Sequence, residues 1–308
     1  MPGPTFFITG ATGPQGNAVT RHLLSKGCTV HAITRNPNSS TAVDLSSLGV
    51  KLFTGELDNE EVLRSGMKGC TGIFLNVPPS PLTAVDYCKH ILAAAKDTGT
   101  IIHVVCSTSF STDHPERLAA WDPNGAIAMI LRPKQIIEEL VRNGGFEYWT
   151  ILRPGNFMAN FLKPKILLAY RGLEMSGIFR TSFQKENIIP MVDHDDIGKF
   201  GAAALLDPAR FHTQAIHIAS ELLTVDEIMS GLSKATGKKI TAYFLSDEEF
   251  EVEAANNSPA SWQKVLRDMV QFADMEKLNA WKIPLNSFSE FLEREKEIVE
   301  DTYSQVPY

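Results

Sequence analysis

The segment at residues 5–24 joins an apolar run to a helical pattern through a turn that holds three glycines at three-residue spacing. The run is typical of a buried strand, and the residues after the turn repeat apolar side chains at helical spacing. A tight turn of this kind leaves backbone N–H groups free at the start of the helix, where the helix dipole favours an anion. The pattern therefore predicts a phosphate-binding strand, turn and helix. The predicted contacts come from Gly10, Thr12, Gly13, Pro14, Gln15 and Gly16.

The alternation of short apolar runs with helical patterns continues through the first half of the chain. Predicted strands occupy residues 5–9, 29–34, 50–53, 72–77, 101–106 and 148–152, and predicted helices occupy residues 15–26, 41–48, 59–67, 82–97 and 132–143. Short buried strands separated by helices indicate a parallel sheet covered on both faces, and right-handed crossovers make it doubly wound. The predicted fold class is therefore α/β, a doubly wound parallel sheet of the Rossmann type.

The regular alternation of predicted strands and helices ends after residue 153. Helices are predicted at 196–206 and 225–236, strands at 215–219 and 240–245, and short strands with loop at 177–189, while the remainder is largely helical. We therefore predict a Rossmann domain at residues 1–153. Residues 154–308 form a smaller, mostly helical region that contributes one or more sheet strands and the substrate pocket. Ligands of open α/β sheets bind at the carboxyl edge, which is where this region is expected to lie.

Composition excludes several classes of protein. The 308 residues are 44% hydrophobic and 21% charged, as in ordinary globular proteins. A formal net charge of −7 argues against a general nucleic-acid-binding surface. The four cysteines show no metal-ligand spacing, and most lie in or beside apolar runs, so buried thiols in a reducing compartment are expected. With no signal peptide and no apolar run of membrane-spanning length, a cytoplasmic protein is predicted.

The end of the second predicted strand carries Arg35 and Asn36. An NAD-preferring site usually places a carboxylate there to hold the ribose hydroxyls, whereas a guanidinium suits the 2′-phosphate of NADP. Arg35 therefore predicts NADP(H) as the cofactor, with a solvated loop arginine as the alternative. Ser39, Ser40 and Thr41 could add hydroxyl donors to the same phosphate.

Other polar or turn-forming residues end the neighbouring predicted strands. Because the carboxyl ends of parallel strands meet at one edge, a single extended ligand can touch all of them. Each alone is equally consistent with an ordinary loop. The predicted cofactor contacts at this edge are Leu57, Asp58, Asn76, Val77, Pro78 and Ser107.

Taken together, these motifs resemble the NmrA-like family, a group of atypical short-chain dehydrogenases/reductases related to isoflavone-reductase-like enzymes. The resemblance rests on residues 10–16, 34–37, 55–58, 153–161 and 190–198. It implies a Rossmann domain that binds NADP(H) and a small C-terminal substrate-side region. In the stretch that begins at residue 153, Gly155, Asn156 and Phe157 are predicted to contact the cofactor.

Short-chain dehydrogenases pair a tyrosine with a lysine four residues later, and the lysine lowers the pKa of the tyrosine that moves the proton. Here Lys134 lies on the expected helix, but the residue four positions earlier is Ile130. The resemblance implies that Lys134 binds the nicotinamide ribose or acts as the acid–base group itself. The alternative is a helix-surface lysine beside Glu138, one turn further on.

Candidate substrate-binding residues are less specific. Asp113 and His114 follow the fifth predicted strand, next to the expected nicotinamide position, although a loop histidine is more often solvated. Several aromatic and Met side chains could line an apolar pocket, although core packing more often explains such a cluster. The predicted substrate contacts are Thr108, Trp121, Phe157 and Phe161, and further members of the apolar set are Met158, Phe179 and Phe183. No metal site is predicted.

Two functions remain open from the sequence. The first is an NADP(H)-dependent oxidoreductase that acts on a conjugated carbonyl or imine of a hydrophobic small molecule. A redox-assisted isomerisation or cyclisation in specialised metabolism is a variant of it. The second is a regulator that binds NADP(H) as a redox reporter and signals to a protein partner, which the absent tyrosine favours. Neither reading predicts a nucleic-acid or membrane partner.

Overall fold

The N-terminal apolar run forms strand β1 (Thr5–Ile8), an inner strand of a seven-stranded sheet. The computed structural model describes residues 3–255, 263–264 and 266–307. The other strands of this sheet are β2 (Thr29–Thr34), β3 (Lys51–Thr54), β4 (Gly72–Leu75), β5 (His103–Ser107), β6 (Tyr148–Pro154) and β10 (Gln214–Ile218). Each of the six predicted strands of the first half is present, with ends that differ from the prediction by up to two residues.

The strand order is β10-β6-β5-β4-β1-β2-β3, and the pairs from β6 through to β3 are all parallel. Phe7 of β1 lies opposite His31 of β2 on one side and Ile73 of β4 on the other. This order reverses direction between β1 and β4, which is the switch point at which doubly wound sheets bind ligands. The predicted α/β fold class is confirmed.

Five helices connect these strands, and local sequence signals explain where they start. Pro14 occupies the first turn of α1, and the side chains of Ser39 and Asn59 accept backbone hydrogen bonds at the starts of α2 and α3. The helices are α1 (Pro14–Ser25), α2 (Ser40–Ser47), α3 (Glu60–Met67), α4 (Ala84–Thr98) and α5 (Ala126–Arg142). Their apolar faces pack on the sheet, and Met67, Cys88 and Ile91 share one core with Ile73 and Val104.

The chain forms two compact units. The first contains the residues up to Asp113, Met129–Arg153 and Ile197–His217. The second contains His114–Ala128, Pro154–Asp196 and the residues from Ile218 onward. The chain leaves the first unit between Arg153 and Pro154, where the sequence predicts a domain boundary. Residues 197–217, however, belong to the first unit again. The functional division into residues 1–153 and 154–308 stays a prediction.

The second unit has its own core, in which the Phe161 ring lies 4.4 Å from Tyr170 and 5.9 Å from Phe179. One small sheet has the order β11-β9-β7 and another pairs β12 with β8. The strands are β7 (Asn156–Phe157), β8 (Ile178–Thr181), β9 (Ile188–Val192), β11 (Glu221–Thr224) and β12 (Thr241–Phe244). Further helices within the described residues are α6 (Ile166–Ala169), α7 (Leu173–Ser176), α8 (His194–Leu206), α9 (Pro208–Phe211), α10 (Val225–Thr236), α11 (Asp247–Ala255), α12 (Met275–Asn279), α13 (Phe288–Arg294) and α14 (Lys296–Thr302).

The helical character predicted for the C-terminal region is present in α10 through α14, while its positions 256–262 and 265 lie outside the described residues. Cys28, Cys70, Cys88 and Cys106 are buried, free thiols. Within the described residues, no helix combines the length and the apolar character that crossing a membrane requires.

Candidate active site

The glycine turn that follows β1 is as tight as the sequence predicts. Gly10 has a φ of +68°, which favours glycine, and its carbonyl accepts the Gly13 N–H at 2.9 Å. A Cβ added to Gly16 would lie 2.3 Å from the Gly10 carbonyl oxygen and 2.8 Å from the Ala11 nitrogen. The first turn of α1 is thus pressed against the end of β1, and only glycine fits at its point of contact.

The start of α1 offers backbone donors to a ligand. Its N-cap residue, Gly13, has no side chain to accept the first helical N–H groups, and Pro14 contributes no N–H of its own. An anion placed there would accept hydrogen bonds from the free backbone N–H groups, which no side chain caps. Thr12 and Pro14 are exposed, and Gln15 is half-buried.

The ends of β4 and β5 are hydrogen-bonded to the same turn. Thr9 Oγ1 accepts the Asn76 N–H at 2.8 Å and lies 3.0 Å from the Asn76 carbonyl oxygen. The Ser107 hydroxyl donates to Gln15 Oε1 at 2.6 Å. Asn76, Ser107 and Gln15, three predicted cofactor residues, are therefore tied to the end of β1 and the start of α1. Val77 is half-buried and Pro78 is exposed beside them.

The end of β2 carries Arg35 with its side chain exposed to solvent. Asn36 turns the chain back by accepting the Asn38 N–H on Oδ1 at 3.0 Å. The Ser39 hydroxyl donates to the Asn36 carbonyl at 3.2 Å and caps α2. Of the predicted residues after β3, Leu57 is half-buried and Asp58 is exposed.

Lys134 is half-buried on α5, one turn after Ile130. Burial lowers the pKa of the Lys134 ammonium to about 8, although the nearby Glu138 carboxylate opposes this shift. Because Pro133 lies inside the helix, the Met129 carbonyl receives no helical hydrogen bond from that position. Lys134 is therefore a titratable amine near neutral pH, unlike a lysine on a helix surface.

Glu138 is buried rather than solvated, and it organises a network that the sequence does not reveal. Its Oε1 accepts Arg153 Nε at 2.9 Å and the Thr108 hydroxyl at 2.8 Å. Its Oε2 accepts Arg153 Nη2 at 2.5 Å and Arg142 Nη2 at 2.8 Å. Thr108, a predicted substrate contact, is buried with its hydroxyl donated to this carboxylate. Of these contacts, only the one between Glu138 and Arg142, one helical turn apart, has a spacing that a local pattern could have shown.

The second unit holds the other predicted contacts. Asn156 Oδ1 accepts the Tyr170 hydroxyl at 3.1 Å, and Gly155 packs so closely that an added Cβ would lie 2.4 Å from the Pro190 carbonyl oxygen. Phe161 is fully buried in the core described above, as the core-packing alternative expects. Trp121 and Phe157 are half-buried. Their predicted cofactor and substrate contacts stay predictions.

The model of the NmrA-like family matches residues 4–297. The NmrA-like family domain-containing oxidoreductase hkm9 of Aspergillus hancockii is 30% identical over 259 residues, which cover 78% of this chain and 75% of that protein. The corresponding oxidoreductase FrzB of Cladobotryum sp. is 29% identical over 254 residues, covering 75% and 73%.

Two solved structures share the fold at low sequence identity. The negative transcriptional regulator NmrA, in complex with NADP, has a TM-score of 0.68 at 18% identity, covering 100% of this chain and 93% of that one. The NADPH-dependent quinone oxidoreductase of Escherichia coli, complexed with NADPH, has a TM-score of 0.70 at 20% identity, covering 94% and 99%. The match over nearly the whole sequence confirms the predicted resemblance, and the chain belongs to the NmrA-like family.

Proposed function

We propose that this protein is an NADP(H)-dependent oxidoreductase that acts on a conjugated carbonyl or imine of a hydrophobic small molecule. The observation that carries the proposal is the glycine turn at the switch point of the sheet, with Asn76 and Ser107 hydrogen-bonded to its neighbours Thr9 and Gln15. The relatives named as oxidoreductases support the same class of activity.

The residues present suit a dinucleotide. A Cβ on Gly16 would clash with backbone, so this glycine lets α1 pack closely on the end of β1. Gly10 and Gly13 have no side chain that would hold a pyrophosphate away from the turn. Arg35 follows β2, where the adenosine ribose of a dinucleotide lies in this fold, and it is a guanidinium rather than a carboxylate. The proposed cofactor is therefore NADP(H) in preference to NAD(H).

Titration of NADPH and NADH into wild type and Arg35→Ala tests the cofactor. Loss of a charge-assisted contact should weaken NADPH binding by roughly 10- to 100-fold and leave NADH binding nearly unchanged. Lys26→Ala is a matched control, because Lys26 is an exposed cation at the opposite end of α1. Equal affinity of wild type for NADPH and NADH would contradict the proposed contact between Arg35 and the 2′-phosphate.

In the proposed reaction, the glycine turn and Arg35 would hold NADPH, which would supply the hydride that reduces the substrate. Lys134 gives a proton to the carbonyl oxygen or imine nitrogen, and the neutral amine then takes a proton from solvent. Its pKa of about 8 keeps the donor protonated at neutral pH while weakening its hold on the proton. Turnover should accordingly fall as the pH rises above about 8.

NADPH consumption measured against a panel of enones and imines tests this role. Lys134→Ala should lose roughly 10²- to 10⁴-fold in turnover, the usual contribution of a positioned acid. Arg132→Ala is the control, because Arg132 is an exposed cation on the same helix. Unchanged turnover in Lys134→Ala would exclude the lysine as the proton donor.

A variant of this function uses the same site without net oxidation, when the substrate is oxidised and reduced again around an isomerisation or cyclisation. A second candidate function is an NADP(H)-sensing regulator with a protein partner. Ile130 at the position of the dyad tyrosine favours it, and the NADP-bound regulator of similar fold supports it. NADPH binding without turnover of any probe would favour the regulator.

A further inference from the structure

The Lys134 ammonium lies one helical turn from a buried carboxylate but is not paired with it. Lys134 is half-buried on α5, and Glu138, four residues later, is almost fully buried. Side chains at this spacing lie on the same face of a helix, with their Cβ atoms about 5–6 Å apart, so the two charges act on each other. Among the described residues, however, no hydrogen bond or ion pair to the Lys134 amine is present.

The hydrogen bonds that Glu138 accepts account for this separation. Its two oxygens accept two bonds from Arg153, one from Arg142 and one from the Thr108 hydroxyl. An ionised carboxylate has about four lone-pair sites, so these donors fill its capacity. Arg153 is also paired with Asp113, which makes a group of two carboxylates and two guanidiniums without net charge. The lysine one turn earlier is therefore left free for a ligand.

Among the described residues, the groups that act on the charge of Lys134 are Glu138 and the Cys106 thiol. Cys106 of β5 is fully buried, and burial raises the pKa of its thiol well above the usual range, so the thiol is uncharged at neutral pH. The guanidiniums of Arg142, on the same helix, and Arg153, on β6, offset the charge of the carboxylate that they bind. Glu138 is therefore the charge that favours the protonated lysine, and the two arginines weaken its field.

We propose that Glu138 is a positioning residue for proton transfer by Lys134, and that Arg142 and Arg153 hold it in that role. The charge of Glu138 favours the protonated amine against the effect of burial. Its hydrogen bonds to the two guanidiniums keep it from forming an ion pair with the amine, which would withdraw the proton donor from the substrate. This role rests on the proposed function, in which Lys134 donates the proton, and adds the groups that set the pH range of that donation.

Two substitutions change the field at Lys134 in opposite directions. Glu138→Gln removes a negative charge roughly 6 Å away, so the loss of turnover at high pH should begin roughly 0.5–2 pH units lower than in wild type. Arg142→Gln removes a positive charge roughly 12 Å further along the helix, so that loss should begin roughly 0.3–1 pH units higher. The Arg142 side chain is 35% exposed, so this variant leaves the buried part of the network in place.

Glu139→Gln is the matched control, because it removes the same charge from an exposed position on the same helix. At about 0.15 M salt it should leave the midpoint of the high-pH loss within about 0.2 pH units of wild type. The midpoint is measured from NADPH consumption with benzylideneacetone, a hydrophobic enone. A purely structural role of Glu138 would lower turnover at every pH and would not move this midpoint.

The titration of the amine is also followed without turnover. Acetic anhydride labels only the neutral amine, so its rate of reaction with Lys134 at each pH, read by mass spectrometry of the labelled peptide, gives the midpoint directly. This midpoint should move down in Glu138→Gln and up in Arg142→Gln, measured in the full chain. An unmoved midpoint in Arg142→Gln overturns the positioning role even where Glu138→Gln fails to fold, and so does a shift of the same sign in both variants.

The positioning role and the proposed function fail in different ways. Turnover that is lost in Lys134→Ala, together with unmoved labelling midpoints, refutes the positioning role and leaves the proposed function in place. Labelling midpoints that move as expected, in a chain that consumes no NADPH with benzylideneacetone or with the panel of enones and imines, refute the proposed function while the control of Lys134 by Glu138 stands.

Discussion

Gly16 is the residue on which the nucleotide-binding turn depends most. We expect Gly16→Ala to lose about 1–3 kcal/mol of unfolding free energy, because the new Cβ meets backbone atoms that cannot move aside independently. NADPH affinity should fall with it, since relief of the contact moves the first turn of α1. Thermal melting and NADPH titration measure the two effects.

Gly13→Ala separates folding from binding at the same turn. A Cβ on Gly13 would meet only the Gly10 carbonyl oxygen, at an ordinary 3.4 Å, and the Gly13 backbone has a φ of −96° that alanine adopts readily. Its melting temperature should match wild type while its NADPH affinity falls. Equal melting temperatures for Gly13→Ala and Gly16→Ala would contradict the steric argument.

Single residues also show what sequence patterns can and cannot reveal about the site. The glycine turn and Arg35 are recognisable from the sequence because each directly follows a predicted strand. Glu138 and Ser111 carry no such pattern. Glu138 contacts Arg153, which lies 15 residues later in the chain. Ser111 is buried and has a φ of +63°, and both properties are defined only in the folded chain.

Among the elements, the parallel strands are predicted best, because continuous apolar runs between turn residues have few other structures open to them. Helix α5 is predicted worst. Pro133 suggests a helix that begins near residue 132, yet the helix begins at Ala126 and carries the proline inside it. Packing of Ala128, Leu131 and Ile137, all buried, offsets the lost hydrogen bond.

The buried ion pair between Glu138 of α5 and Arg153 of β6 should contribute strongly to the stability of the protein. Glu138→Ala should cost about 3–5 kcal/mol of unfolding free energy, because it leaves the buried Arg153 guanidinium without its main partner. Urea denaturation measures the loss. Glu139→Ala, at an exposed position next to it, should stay within about 0.5 kcal/mol of wild type. Equal midpoints for the two variants would mean that Asp113 alone compensates Arg153.

At the scale of the whole molecule, His103 ties together segments that are distant in the chain. Its Nε2 is 3.0 Å from Thr150 Oγ1, and Thr150 donates to the Phe211 carbonyl at 2.9 Å. β5, β6 and α9, from residues that lie up to 108 positions apart, therefore share one buried polar contact. Burial, with a smaller contribution from His212, lowers the pKa of His103 to about 4.

This shift predicts how the stability of the protein depends on pH. An unfolded histidine has a pKa near 6.5. Between pH 6.5 and pH 4 the unfolded chain therefore binds a proton at this residue, whereas His103 in the folded chain stays neutral. The contribution of His103 is present above pH 6.5 and is lost as the pH falls toward 4, at up to about 1.4 kcal/mol per pH unit and about 3 kcal/mol in all. Urea midpoints measured between pH 7 and pH 4 should therefore fall steeply in wild type. The slope should be shallower in His103→Gln than in wild type. Parallel curves for wild type and His103→Gln would show that groups other than this buried imidazole set the acid limit of the fold.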